Sequence, residues 1–281
     1  MKKVLVTGAN GQLGKCLQDV CPDFTELEML FVSKNDLDIE NEEALETFFR
    51  NNQFDYCINT AAYTHVDKAE IEPEKAFSIN AEAVKNLSLQ CSKWGVILLH
   101  ISTDYVFDGN TETPYCEGDA TNPINVYGSS KLKGEEYIQE FCEKYYIIRT
   151  SWLYSLYGKN FLTYILNAAK EDKPMTITTE QIGSPTNAND LARVLLKIVD
   201  SKKEDYGIYH FSNQGETTWY GFAKEILKIS NQFDDSKLVK TDHYSTFAKR
   251  PRYSVLDNSK IKLNFSIIPN RWESSIKTKI S

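Results

Sequence analysis

The first fourteen residues constrain this chain more than any other stretch. Lys3–Thr7 is a short β-prone run, followed at once by Gly8-Ala9-Asn10-Gly11-Gln12-Leu13-Gly14. The glycines recur as G-x-x-G-x-x-G, and Gly11–Cys21 has the apolar spacing of a helix. Strand, tight turn and helix start, in that order, open a βα unit. Glycine reaches positive φ at little cost and lets a ligand come close to the backbone. The helix start behind it offers free N–H groups and the positive end of a dipole. The combination predicts a seat for the pyrophosphate of a dinucleotide, with Gly8, Gly11 and Gly14 shaping the turn.

The same alternation continues through the first half. Strands are expected at Met29–Ser33, Tyr56–Asn59, Val96–Ser102 and Tyr146–Thr150. Helices are expected at Asn41–Asn51, with Asn41 as N-cap, at Glu74–Trp94 and at Tyr127–Cys142. Near-continuous apolar strands alternating with helices imply a parallel sheet covered on both faces. The fold class is α/β, a Rossmann-like doubly wound parallel sheet with a smaller substrate-binding lobe. Residues 1–150 form the dinucleotide-binding domain, with later returns near 187–212. Residues 151–186 and 213–281 form the lobe. There, helices are expected at Asn160–Lys170, Asp190–Val199 and Trp219–Ile229, and strands at Met175–Thr178 and Ile208–Ser212. After Ser230 the pattern weakens.

Composition removes several alternatives. The 281 residues are 41% hydrophobic and 25% charged, which suits a packed core. A net charge of -7 without a basic block argues against nucleic acid as a partner. No run of about 18 apolar residues suggests a membrane span. Met1-Lys2-Lys3 leads straight into a strand, unlike a secretory signal, so a cytoplasmic location is expected. The six cysteines form no C-x-x-C pair and read as buried free thiols. His65, His100, His210 and His243 show no metal spacing.

Tyr127-Gly128-Ser129-Ser130-Lys131 opens a helix, and its i, i+4 spacing places Tyr127 and Lys131 on one face. Reducing a ketone requires a proton for the oxygen that turns negative as hydride arrives. A free phenol titrates near pH 10, too high for an effective acid at neutrality. An ammonium about 4 Å away is worth roughly 4 kcal/mol at an effective dielectric near 20, or about three pKa units. Lys131 is thus expected to acidify Tyr127 and to hold the nicotinamide ribose. The third member lies where the strand Val96–Ser102 ends, because ligands of open α/β sheets bind beyond the carboxyl ends of strands. Thr103 is the first choice there and Ser102 the second, as a hydroxyl donating to the substrate carbonyl. Ser33 and Lys34, after the second strand, suit a 2′-phosphate, while Asp36 or Asp38 would reach the ribose if the loop folds back, so NADPH is expected, with NADH also usable.

Taken together, TGANGQLG (7–14), NTAAYTHVDKAE (59–70), STDYVFDG (102–109), NVYGSSKLKGE (125–135), RTSWLY (149–154) and GSPT (183–186) resemble the extended short-chain dehydrogenase/reductase family over nearly the whole chain. The likeness is strongest to members that reduce the C4 ketone of a dTDP-linked deoxysugar. The resemblance implies a catalytic trio of Thr103, Tyr127 and Lys131. It implies pyrophosphate contacts from Asn10, Gly11, Gln12 and Leu13, and an adenine-side pair Asp38 and Ile39. It further implies a cofactor wall of Ala61, Ala62 and Tyr63, with Tyr63 where some relatives carry histidine. Asp104 and Trp152 match substrate contacts. Some relatives dimerise and hold magnesium between subunits, so the resemblance allows both, although no acidic ligand set is visible here. Two rivals stay open: a sugar-nucleotide epimerase or dehydratase, and a non-catalytic nucleotide-binding regulatory subunit. Asp104-Tyr105 after Thr103, in place of two acids, speaks against a dehydratase; the intact trio speaks against the subunit.

Overall fold

The computed structural model describes residues 1–242 and 246–280; His243 lies outside them. The chain opens with β1 (Lys2–Thr7), α1 (Gln12–Val20), β2 (Leu27–Val32), α2 (Glu42–Asn51) and β3 (Tyr56–Asn59). It continues through α3 (Val66–Ala69), α4 (Pro73–Phe77), α5 (Ala83–Trp94), β4 (Ile97–Thr103), α6 (Val126–Phe141) and β5 (Tyr145–Thr150). Then come β6 (Leu153–Tyr154), α7 (Phe161–Lys170), β7 (Met175–Thr178), β8 (Ile182–Gly183), β9 (Thr186–Asn187), α8 (Ala188–Ser201) and β10 (Gly207–His210). The last elements are β11 (Thr217–Thr218), α9 (Trp219–Ile229), β12 (Leu238–Thr241), α10 (Ser259–Phe265) and α11 (Trp272–Ile280).

Six strands form one parallel sheet in the order β10-β5-β4-β3-β1-β2. The order reverses beside β1, as in a doubly wound sheet, and a crevice opens there beyond the strand ends. Side chains alternate between the two faces. Val4 and Val6 of β1 join Leu13, Leu17, Leu191 and Leu195 beneath α1 and α8. Leu5 joins Leu45, Val84, Leu87 and Ile138 beneath α2, α5 and α6. The expected Rossmann-like fold is present.

Asn41 caps α2, its side chain accepting from Ala44 N at 3.0 Å. The helix expected over Glu74–Trp94 is interrupted by a wide π-type turn at Ser78–Glu82. There Asn80, fully buried, holds the Tyr63 backbone from both sides and donates to Ser130 Oγ at 3.0 Å. A π turn inserts one extra residue, which lets the Asn80 amide reach these partners.

A second core is built from Tyr154, Leu162, Ile165, Met175, Ile177, Phe222, Ile226, Leu238, Trp272 and Ile276. It lies in the lobe expected over 151–186 and 213–281. One part of that span behaves otherwise: Ile261 and Ile267, in and after α10, join the main core with Tyr209 and Leu195. Cys16, Cys57, Cys91 and Cys142 are buried as expected, but Cys21 is half-buried and Cys116 is exposed. No helix among the described residues is long and apolar enough to cross a membrane.

Candidate active site

Gly8 follows β1 with φ +73, a conformation other residues adopt only with strain. A Cβ there would also lie 2.7 Å from Ala61 N. Gly11 is the N-cap of α1, and no side chain caps that helix. Its first-turn N–H groups therefore lack a side-chain partner and face a site suited to an anion. A cavity of ≈ 270 Å³ lies against this turn, lined by Gly8, Asn10, Gly11, Ser33, Lys34, Asp38, Ile39, Ala61 and Ala62 among others. It opens beside a larger cleft of ≈ 1000 Å³, lined by Gly11, Gln12, Leu13, Thr103, Asp104, Tyr127, Lys131 and Trp152 among others.

Two expected cofactor contacts fall elsewhere. Gly14 lines neither cavity. A Cβ on it would sit 2.4 Å from Gly8 O, so it lets α1 pack against the turn. Tyr63 also lines neither cavity. Its ring is buried with Ala69 and Ala76 against Ile79, Val126 and Tyr127, behind the wall that Ala61 and Ala62 form. The group suited to a 2′-phosphate is partly engaged: Ser33 Oγ donates to Asp36 at 2.6 Å, and Lys34 pairs with Glu40 at 2.6 Å and Asp38 at 3.4 Å.

The trio converges at the end of β4. Thr103 Oγ1 accepts from Tyr105 N at 3.1 Å and donates to Asp104 Oδ1 at 3.0 Å. Asp104 is buried, has the Ser254 and Thr103 hydroxyls beside it, and lines the cleft. Burial pushes its carboxyl up to about 7, against the hydrogen bonds that pull it down. Asn125 caps α6 by accepting from Gly128 N at 2.7 Å, and its amide ties the cap to Lys249 O at 2.9 Å. Tyr127 follows in the first turn. Gly128 brings that turn against the strand end: a Cβ there would lie 2.2 Å from Tyr105 O. The rings of Tyr105 and Tyr127 meet edge to face at 5.9 Å.

Lys131 and Tyr127 share a face of α6, but the expected acidification of the phenol is not found. Burial and the Asp104 carboxylate push Tyr127 up to about 12, while the Thr103 hydroxyl pulls it down. Lys131 is turned into the sheet, with Nζ 2.7 Å from Ile101 O and 3.0 Å from His100 Nε2. Burial lowers this amine to about 8, opposed by Glu135. Ser102, the alternative hydroxyl, donates instead to Glu135, which Arg149 grips with Nη2 at 2.6 Å. Ser102, which also lines the cleft, is thus tied to a buried ion pair.

Several cleft residues escaped sequence reasoning. Trp219 stacks on Trp152 at 3.6 Å between ring centroids and 6° between planes. Its indole N–H donates to Gln181 at 2.8 Å. Trp152 has φ +46, strained for a large side chain, and its ring covers Gly183. Lys159 and Arg250 bring cations to the rim, and Arg250 pairs with Asp67 at 2.9 Å. Asn59 and His100 support Lys131 from β3 and β4. Trp152 and Trp219 were visible in the sequence, but which wall they join depends on how the lobe folds back. Among the described residues, no group of three or more His, Cys, Asp or Glu side chains is placed to hold a metal ion.

The chain matches the RmlD substrate binding domain family over residues 1–281. It is 37% identical to a dTDP-4-dehydrorhamnose reductase from Aggregatibacter actinomycetemcomitans, over 99% of this chain and 98% of that one. The crystal structure of a dTDP-4-dehydrorhamnose reductase from Bacillus anthracis in complex with NADP superposes with a TM-score of 0.94 at 36% identity, covering 99% and 98% of the two chains. A Clostridium acetobutylicum structure described as a dTDP-4-dehydrorhamnose reductase gives 0.93 at 40% identity, with the same coverage. Motifs, crevice and full-length similarity coincide, and this chain belongs to the dTDP-4-dehydrorhamnose reductase family.

Proposed function

We propose that this chain reduces the C4 ketone of dTDP-4-dehydro-L-rhamnose to give dTDP-L-rhamnose, using NADPH or NADH. The observation that carries the reading is Tyr127 beside Thr103 in one cleft that runs on from the glycine turn. The turn fits a dinucleotide, because Gly8 and Gly11 leave the backbone bare and α1 begins uncapped. Asp38 and Ile39 would hold the adenosine end, and Asn10, Gly11, Gln12 and Leu13 would hold the pyrophosphate. When bound, the dinucleotide supplies the hydride.

The remaining work falls to the protein. Tyr127 keeps its proton through the neutral range and gives it up as negative charge develops on the substrate oxygen. Thr103 offers a second hydroxyl to that oxygen, reoriented from Asp104. Lys131, which lines the cleft, would hold the ribose next to the nicotinamide through the N–H that Ile101 O and His100 leave available. Asp104 and Trp152 contact the sugar, and Lys159 and Arg250 meet the nucleotide diphosphate. The lobe over 151–186 and 213–281 supplies much of the substrate side, while 1–150 supplies the dinucleotide side. A homodimer and an intersubunit magnesium ion are features of some relatives that this reading does not require.

The test is stoichiometric oxidation of NADPH or NADH, followed at the reduced-nicotinamide absorbance, with dTDP-4-dehydro-L-rhamnose. One cofactor consumed per sugar supports a reductase. Turnover of the sugar without net consumption supports an epimerase, and inertness with tight dinucleotide binding supports the regulatory subunit.

A further inference from the structure

Thr7, Asn59, His100 and Lys131 form one line of hydrogen bonds across β1, β3, β4 and α6. Thr7 Oγ1 donates to Asn59 Oδ1 at 2.7 Å, and Asn59 Nδ2 lies 3.0 Å from His100 Nδ1. His100 Nε2 lies 3.0 Å from Lys131 Nζ, which also donates to Ile101 O at 2.7 Å. All four residues are buried, none more than 2% exposed.

The direction of this line is set at one point. The backbone N–H of Ala61 donates to Asn59 Oδ1 at 3.1 Å. A backbone N–H can only donate, so the atom facing it is the amide oxygen, and the atom facing His100 is the amide nitrogen. An amide nitrogen only donates, which makes His100 Nδ1 the acceptor. A neutral imidazole that accepts at Nδ1 carries its proton on Nε2. Burial, joined by the charge of Lys131 whenever that amine is protonated, holds His100 well below the usual imidazole range, which keeps it neutral. The Nε2 proton therefore points at Lys131 Nζ. An ammonium has three N–H groups and no lone pair, so it cannot accept. A neutral amine has two N–H groups and one lone pair. The lone pair takes the His100 proton, one N–H serves Ile101 O, and the other is left for the cleft that Lys131 lines.

We propose that Asn59 and His100 are positioning residues that favour the uncharged amine of Lys131 in the free protein, so that in alkaline solution dinucleotide binding takes up a proton there. The ligand brings hydroxyl acceptors and negative charge to the cleft, both of which favour the three-donor ammonium; the proton comes from solvent. The other charged group acting on Lys131 is Glu135 of α6, already committed to Arg149 of β5 and Ser102 of β4. Asp104 and Tyr127 titrate at the same cleft, while Thr7 and Asn59, on the sheet side, are neutral. This inference rests on the dinucleotide reading above.

The test uses the full chain with NADH and NADPH. Calorimetric titration in buffers of different ionisation enthalpy counts the protons exchanged. Uptake should approach one per dinucleotide at pH 9 and shrink toward pH 7, since the free amine titrates near 8. The dissociation constant should rise by up to about tenfold per pH unit above that point. The 2′-phosphate of NADPH does not contribute there, because its second ionisation is near pH 6, and NADH is the control. Histidine ¹⁵N spectra of the free protein should show His100 protonated on Nε2. Asn59→Asp replaces the donor by a carboxylate, so His100 should move its proton to Nδ1, Lys131 should stay charged, and uptake should vanish. Wild-type His100 protonated on Nδ1, or dinucleotide binding without uptake at pH 9, overturns the proposal even if Asn59→Asp fails to fold. Absence of any dinucleotide binding overturns the reductase reading and this coupling with it.

Discussion

Tyr127 holds its proton more firmly than a free phenol does, because the cleft withdraws it from water next to Asp104. A general acid must be protonated when the substrate arrives, and here that condition is met at any neutral pH. The cost is a weaker driving force for transfer, which the growing charge on the ketone oxygen must overcome. Tyr127→Phe should lower kcat by roughly 10²- to 10⁴-fold with dinucleotide affinity little changed, as steady-state rates and fluorescence titration would show. Asp104 modulates the same proton. As pH rises through about 7 its carboxylate forms and pushes the phenol higher. The kcat/KM profile should therefore fall above about pH 7, and Asp104→Asn should remove that limb. Tyr127, Lys131 and Thr103 were legible because motif spacing fixes them relative to a strand end. Asn59 and His100 were not, since a single polar residue inside an apolar strand carries no periodic signal. The orientation of Lys131 was likewise out of reach, because it depends on a carbonyl and an imidazole of another element.

At the scale of elements, the sheet and its helices follow closely from apolar spacing and caps. Tyr56–Asn59, Met175–Thr178 and Trp219–Ile229 have the expected bounds. Elements past Ser230 were missed for a physical reason. β12 is Leu-Val-Lys-Thr with only Leu238 buried, and it pairs with β7, more than fifty residues away. Such a strand is defined by its partner and not by its own pattern. The π turn at Ser78–Glu82 was equally invisible, since one inserted residue hardly disturbs helical periodicity. The seat of α6 on the end of β4 depends on a missing side chain. Gly128→Ala would press a methyl carbon to 2.2 Å from Tyr105 O, a backbone atom that cannot swing away. The helix start must then lift, at about 1–3 kcal/mol, read as a lower urea midpoint together with a loss of kcat.

For the molecule as a whole, buried histidines set the response to acid. Burial, aided by Arg149, lowers His210 to about 3, and burial lowers His100 as well. An unfolded histidine titrates near 6.5. Between about 6.5 and 3 the unfolded chain binds more protons, so stability is full above that window and is lost as pH falls through it. Asp104, raised to about 7, acts in the opposite sense. Its contribution is full below its unfolded pKa and disappears as pH rises through about 7. The two deeply buried histidines outweigh Asp104 and the half-buried Glu117, whose carboxyl burial also raises, so the urea midpoint should drop between pH 7 and pH 4, and His210→Phe should make the drop shallower. The chain path carries a last consequence. The smaller core draws on residues 154–177, 222–238 and 272–276, while 188–211 and 261–267 return to the larger one. The polypeptide is laced back and forth between two hydrophobic centres like a seam. A protease nick between the stretches would yield fragments that each own part of both centres and the whole of neither. Neither piece could be purified as a self-standing module, and the two centres should melt as one cooperative unit.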